Sequence, residues 1–259
     1  MTQEQRRTFL ILSLIKEEPN YPKITIPADE EGQRTLLRTL LNIRLPKPAS
    51  KEFLEVQDAY LKEETRRKGI TFLKDLTPIQ EGIYLWKGDI TTLECDAIVN
   101  AANSGLLGCF YPNHGCIDNA IHTFAGVELR NECDELMKRQ GHKEEIGKAK
   151  ITKAYNLPCH SILHTVGPFI ARKPTERDKG LLSSCYLSCL RLAKEKRIQS
   201  LAFPCISTGE FHFPNEEAAK IAIKTVRTYR KEGNADISVV FNVYKEFDYE
   251  IYKRLLAVD

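Results

Sequence analysis

Short apolar runs alternate with longer amphipathic stretches from about residue 80 to the end of the chain. The apolar runs that predict strands are IYLWKG, DAIVNAA, KAKITKAY, SILHTV, SLAFPCI and ISVVFNVY. Helical periodicity is found over about residues 115–133, 176–196, 215–231 and 245–256. Strands that alternate with helices in sequence form layered domains, so this part of the chain is predicted to be an α/β domain with a largely parallel sheet.

The first 75 residues have a helical pattern instead. Three segments, EQRRTFLILSLIKEE, DEEGQRTLLRTLLNIRLP and SKEFLEVQDAYLKEETRRKG, carry apolar residues at helical spacing, and the Pro-rich break RLPKPAS separates the last two. Ser50 is a favourable N-cap for the third segment, which places Phe53, Val56 and Tyr60 on one stripe. We therefore predict a helical extension over residues 1–75 and an α/β domain over residues 76–259.

Composition limits the classes of protein to which the chain can belong. Hydrophobic residues make up 42% of the 259 residues, and the net charge is +3. This balance is typical of a soluble globular protein and does not indicate a nucleic-acid partner. The apolar runs are too short for a membrane span, and the N-terminus reads as an amphipathic helix, so a cytoplasmic protein is expected. Its eight cysteines would stay reduced there, which favours metal binding or chemistry over disulfides.

Polar residues follow several of the predicted strands. GDIT at residues 88–91 follows the first strand, NAAN at residues 100–103 ends the second, and ISTG at residues 206–209 follows SLAFP. Ligands of open α/β sheets bind at these carboxyl ends. Asp89 could accept a hydrogen bond from an amino group such as that of adenine, although an aspartate after glycine is also common in simple turns.

Taken together, these motifs resemble the macrodomain family of ADP-ribose-binding modules, over roughly residues 80 to 257. The resemblance implies a three-layer α/β/α sandwich with a mixed, mostly parallel sheet. It also implies that Asn103 and Asp118 act at the distal ribose. The implied substrate contacts are Asp89, Ile90, Ser207, Thr208, Gly209, Glu210, Phe211, Asn242 and Tyr244. A core position for Tyr244 is the alternative, and His212, where the family usually has glycine, leaves the backbone path there open.

The stretch GCFYPNHGCIDNAIH, residues 108–122, departs from the usual family pattern. It places Cys109, His114 and Cys116 within eight residues, just before Asp118. Thiolate and imidazole ligands favour zinc, and three of them with an open fourth position are typical of catalytic zinc. The alternatives are a closed structural site completed by His122 or a distant cysteine, or two small buried cysteines beside a loop histidine. We expect His122 to be a helix residue that faces the fold.

The cysteines, the histidine and the helical extension resemble the zinc-containing subclass of macrodomains. This resemblance implies one zinc ion per chain and a hydrolase that removes mono-ADP-ribose from proteins, with a lipoyl-carrier-type protein as a suggested substrate. Zinc would either hold the ribose hydroxyls or activate a bound water. The competing hypotheses are a reader that binds ADP-ribose through the same loops around a structural zinc, and a helical adaptor with a passive macrodomain.

Overall fold

The computed structural model describes residues 1–18, 24–233 and 236–258, which form eight α-helices and eight strands. The helices are α1 (Gln3–Lys16), α2 (Glu30–Ile43), α3 (Lys51–Lys68), α4 (Ile117–Ala125), α5 (Val127–Gln140), α6 (Glu176–Glu195), α7 (Asn215–Lys231) and α8 (Glu246–Leu256). The strands are β1 (Thr71–Phe72), β2 (Ile83–Lys87), β3 (Leu93–Glu94), β4 (Ala97–Ala101), β5 (Ala149–Lys153), β6 (Ser161–Thr165), β7 (Ser200–Phe203) and β8 (Ser238–Val243). None of the described helices combines the length and apolar character that crossing a bilayer requires.

Six of the strands form one sheet in the order β2-β8-β7-β4-β6-β5. Every neighbouring pair is parallel except β5 with β6. The predicted mixed, mostly parallel sheet is confirmed, and all six predicted strands lie within it. The strands β1 and β3, which sequence analysis did not anticipate, pair with each other in a separate two-stranded sheet.

Helices cover both faces of the sheet because alternate strand residues are apolar on both sides. Val99, Leu201 and Val239 pack with helices α6, α7 and α8. Ile98, Ala202 and Val240 pack on the opposite face with α4 and α5. The α/β/α layering is therefore confirmed, and the near-continuous apolar runs of β4, β7 and β8 are typical of strands covered on both faces.

The helix predicted over residues 115–133 is wrong in one respect: it is two helices, α4 and α5, interrupted at Gly126. Gly126 has φ +101°, a conformation that glycine tolerates and side chains do not. A Cβ at this position would lie 2.6 Å from the Gln57 amide nitrogen and 3.0 Å from that of Asn156. The break is imposed by packing between distant segments, which the local helical pattern does not contain.

The helical extension consists of α1, α2 and α3, which share one apolar core with Val127 at the start of α5. Ser50 is the N-cap of α3, as predicted, and its hydroxyl accepts a hydrogen bond from the backbone N–H of Phe53. Polar contacts join the extension to the α/β domain. The side-chain oxygen of Gln57 accepts from the backbone N–H of Val127, and buried Arg130 donates to the backbone carbonyls of Leu41 and Arg44. The boundary at residue 75 stays a prediction.

Candidate active site

The carboxyl ends of β2, β4, β6, β7 and β8 lie at one edge of the sheet because these strands are parallel. The loops that leave these ends, together with the last residues of β8 and the first turn of α4, contain the site residues predicted from sequence. Sequence analysis did not include the loop after β6, which begins Val166-Gly167-Pro168. The Gly-Pro pair after the strand SILHTV is the signal that could have identified this loop.

Asp89 lies at the end of β2, where its carboxylate is already hydrogen-bonded. One oxygen accepts from the backbone and hydroxyl of Thr91 at 3.0 and 2.6 Å, and the other lies 3.0 Å from Lys68 Nζ at the end of α3. Burial alone would raise the pKa of Asp89, but the Thr91 bonds and the Lys68 charge outweigh it and hold the pKa below its usual value. Asp89 is therefore ionised, and its carboxylate can accept hydrogen bonds.

Asn242 and Tyr244, the two predicted adenine contacts at the end of β8, differ in how accessible their side chains are. Asn242 is buried, and its amide donates to the carbonyls of Trp86 and Gly88 at 3.4 and 3.0 Å, which ties β8 to the end of β2. Tyr244 is 79% exposed, so the alternative that it belongs to the core is wrong. Of the two, Tyr244 is the side chain that is free to stack on a base.

The loop after β7 supplies the turn around Ser207-Thr208-Gly209. Ser207 has φ +66°, and its hydroxyl is buried with no hydrogen-bond partner among the described residues. A Cβ on Gly167 would lie 2.0 Å from that hydroxyl oxygen, so the loop after β6 can approach only because residue 167 is glycine. His212 has φ +56°, which shows that this histidine keeps the left-handed backbone that a glycine would adopt.

Phe211 forms part of an aromatic group that joins the loops after β6 and β7. Its ring lies 6.1 Å from that of Phe169, which is also 5.7 Å from the ring of His212. The backbone N–H of Ile170 donates to the Phe211 carbonyl at 2.8 Å. Phe169 is 58% exposed and was not anticipated from sequence. This pairing fixes the outer edge of the loop that carries Ser207.

Asn103 and Asp118 are brought together, although they are fifteen positions apart in sequence. The Asn103 amide donates to Asp118 Oδ2 at 3.2 Å and to the Gly108 carbonyl at 3.0 Å, while its carbonyl accepts from Gly105 N. Asp118 lies in the first turn of α4 and is 5% exposed. Burial, opposed by the bonds from Asn100 and Asn103 and by the Arg130 charge, raises the pKa of Asp118 to about 6.

A buried network behind Asp118 was missed by sequence analysis. Asn100 donates to Asp118 Oδ1 at 2.8 Å and lies 3.2 Å from His164 Nδ1. The other ring nitrogen of His164 lies 2.9 Å from the Thr152 hydroxyl. With Asn100 as the donor to Nδ1, His164 is a neutral imidazole that carries its proton on Nε2. Burial lowers the pKa of His164 to about 4, consistent with that neutral form.

The metal loop, which we define as residues 109–116, brings together the three predicted ligands. Cys109 Sγ, His114 Nδ1 and Cys116 Sγ all lie within 4.8 Å of one another, and Cys109 Sγ is 3.4 Å from His114 Nδ1. Tetrahedral zinc with ordinary bond lengths separates a sulfur and a nitrogen ligand by about 3.6 Å, so this donor set fits zinc. Burial raises the pKa of the Cys116 thiol to about 12, so a thiolate here requires a neighbouring cation.

Two further contacts bear on the metal loop. His114 Nε2 lies 3.4 Å from a carboxylate oxygen of Glu210, in the position of the carboxylate that commonly orients a zinc-ligating histidine. His122, considered as a fourth ligand, is instead buried on α4 against Gly108. Within the described part of the chain, its ring groups with Cys133 and His164 and not with the metal loop, and its Nε2 lies 3.6 Å from Asp118 Oδ1. The expectation that His122 faces the fold is confirmed.

Comparison with known proteins identifies the family. Residues 99–222 match the sequence profile described as "Macro domain". A protein named protein-ADP-ribose hydrolase from Treponema medium is 53% identical, an alignment that covers 99% of this chain and 100% of that protein. The chain belongs to the macrodomain family. A second protein-ADP-ribose hydrolase, from Staphylococcus aureus strain MRSA252, is 49% identical, an alignment that covers 98% of this chain and 96% of that protein.

Solved structures agree with this assignment. The macrodomain of Trypanosoma brucei in complex with ADP-ribose is 30% identical, with a TM-score of 0.65, and the alignment covers 85% of this chain and 94% of that chain. That structure is a macrodomain that binds ADP-ribose. Its similarity extends the family assignment from sequence to the three-dimensional fold.

Proposed function

We propose that this macrodomain is a zinc-dependent hydrolase that cleaves the bond between ADP-ribose and a protein side chain, at C1″ of the distal ribose. The names of the two bacterial relatives support hydrolysis of protein-ADP-ribose. The observation that carries the proposal is the position of a buried carboxylate, Asp118, two residues from the last ligand of the metal loop and hydrogen-bonded to Asn103. Binding the adenine and the phosphates does not require this arrangement.

In this proposal, each loop binds a different part of ADP-ribose. Ionised Asp89, with Ile90 beside it, accepts from the adenine amino group, and exposed Tyr244 stacks on the base. The turn of Ser207, Thr208 and Gly209 surrounds the pyrophosphate with backbone N–H groups and the unpartnered Ser207 hydroxyl. This assignment leaves the distal ribose at Asn103, Asp118, Phe211 and the metal loop.

Cleavage builds positive character on C1″ as the protein side chain departs. A carboxylate with a pKa of about 6 is mostly ionised at neutral pH, so Asp118 can accept a proton from a water or a ribose hydroxyl. Asn100 and Asn103 donate to opposite oxygens of Asp118 and hold it in one orientation. Zinc bound by Cys109, His114 and Cys116 would supply Lewis-acid chemistry beside the distal ribose.

Incubation of mono-ADP-ribosylated proteins with the enzyme, with and without a chelator, tests the proposal. The substrates should include a lipoyl-carrier-type protein modified on an acidic residue, together with serine- and arginine-linked ADP-ribose. Release of ADP-ribose that stops with the chelator supports the proposal. Tight binding of ADP-ribose by the zinc-loaded protein, without hydrolysis of any substrate, would instead identify a reader.

A further inference from the structure

Three neighbouring polar residues of α2 contact the metal loop and the start of α4. The side-chain oxygen of Asn42 accepts from the backbone N–H of Asn113 at 2.9 Å, and the Thr39 hydroxyl accepts from the side-chain amide of Asn113 at 2.6 Å. Arg38 donates to the backbone carbonyl of His114 at 3.1 Å. A single turn of the helical extension therefore bonds a proposed zinc ligand and the residue before it.

A second layer of contacts passes through Asn119 on α4. Arg38 donates to the side-chain oxygen of Asn119 at 2.8 Å. The side-chain NH2 of Asn119 donates to the backbone carbonyls of Tyr111 and Cys109 at 3.1 and 3.4 Å. Asn119 is fully buried, so Arg38 determines which way its amide points. The carbonyls of three metal-loop residues thus depend, directly or through one side chain, on Arg38.

The conformation of Asn113 explains why the metal loop requires this support. Asn113 has φ +54°, a left-handed conformation that is less favourable than the right-handed one, although asparagine tolerates it better than most side chains. Its backbone and side chain are held in place by Asn42 and Thr39, and Asn42 is 1% exposed. Without these bonds, the strained residue would be free to relax and to move His114 away from the two cysteines.

We infer that α2 is the frame of the zinc site and that Arg38, Thr39 and Asn42 are positioning residues for His114. The inference rests on the proposed function, because it concerns the loop that would hold zinc. It assigns the helical extension a role in metal binding that differs from an adaptor role. Residues that orient a metal ligand through hydrogen bonds commonly change metal affinity by about 10- to 100-fold when they are replaced.

The test compares Arg38→Ala with Arg34→Ala, which removes the same kind of side chain one turn earlier on α2. Arg34 pairs with Glu30 and Glu64, at a distance from the metal loop. Zinc release to a coloured chelator is measured for both variants and for the wild type, together with the thermal midpoint of the metal-free proteins. Thr39→Val, at a partly exposed position, repeats the test with a substitution that preserves the fold, and Arg38→Lys asks whether the charge alone suffices.

We expect Arg38→Ala to release zinc about tenfold faster than the wild type, and Thr39→Val to change release in the same direction. Arg34→Ala should release zinc at the wild-type rate, and the metal-free Arg38→Ala protein should remain folded. Equal release by Arg38→Ala and Arg34→Ala from a wild type that holds zinc would overturn this inference and leave the proposed hydrolase intact. A wild type that binds no zinc would overturn both.

Discussion

The stability of the fold should fall between pH 7 and pH 5 because of His164. This imidazole is fully buried, accepts from Asn100 and lies against Thr152, so its neutral form is fully hydrogen-bonded. Protonation of Nδ1 would place two donors face to face. Rotation of the Asn100 amide would relieve that conflict only by breaking its bond to Asp118. The folded state therefore resists a proton that the unfolded chain accepts readily.

The expected loss of stability follows from the pKa of His164 in the two states. The pKa falls from 6.5 in the unfolded chain to about 4 in the folded protein. The contribution of His164 is present above pH 6.5 and is lost as the pH falls toward 4, because the unfolded state then binds a proton that the folded state does not. At 1.36 kcal/mol per unit of pKa difference, the loss between pH 7 and pH 5 is about 2 kcal/mol.

Urea denaturation at both pH values measures this loss. His122, also buried and with a lowered pKa, contributes with the same sign, whereas Asp118 contributes with the opposite sign because burial raises its pKa. Both groups are present in the variant His164→Gln, so the difference between the two proteins reports His164 together with its coupling to His122 and Asn100. The wild type should lose about 2 kcal/mol more than His164→Gln. Equal losses in the wild type and His164→Gln would refute the reasoning.

Three further predictions concern ADP-ribose binding and are checked by calorimetry. Asp89→Ala should weaken binding by about 1–3 kcal/mol through loss of a charged acceptor, and an unchanged affinity would move the adenine elsewhere. Gly167→Ala should weaken binding at least about tenfold because the new methyl group would lie 2.0 Å from the Ser207 hydroxyl, whereas Gly180→Ala, which meets nothing within 4 Å, should have no effect. Tyr244→Ala should remove about 1–3 kcal/mol of stacking, and full retention of affinity would exclude a base contact.

Much of the fold could be predicted because its determinants are local. The central strands β4, β7 and β8 are short, mostly apolar runs that are buried on both faces, and this pattern is visible in the sequence. The break at Gly126 could not be predicted in this way. At the break, the Gln57 side chain accepts from Val127 N and the Asn156 side chain donates to the Ala125 carbonyl, and both residues lie far from Gly126 in sequence.

In the candidate site too, features set by local sequence could be predicted, and those set by contacts between distant segments could not. Cys109, His114 and Cys116 are close in sequence, so their convergence could be predicted from spacing. The Lys68–Asp89 ion pair could not, because its two members belong to different parts of the fold and no local pattern relates them. The family motif contained Asn100, but its bond to Asp118 depends on how β4 and α4 pack.

Hydrolysis by the variants Cys116→Ala and His114→Ala tests the central proposal most directly. Each variant is assayed for release of ADP-ribose from a modified protein, for ADP-ribose affinity and for thermal midpoint, beside Cys95→Ala as a buried cysteine outside the site. A catalytic zinc predicts that both variants lose hydrolysis while they retain ADP-ribose binding and show only a modest drop in midpoint. A structural zinc would instead melt the site or the domain when it is lost. Retained hydrolysis in the metal-free variants would contradict the proposed mechanism.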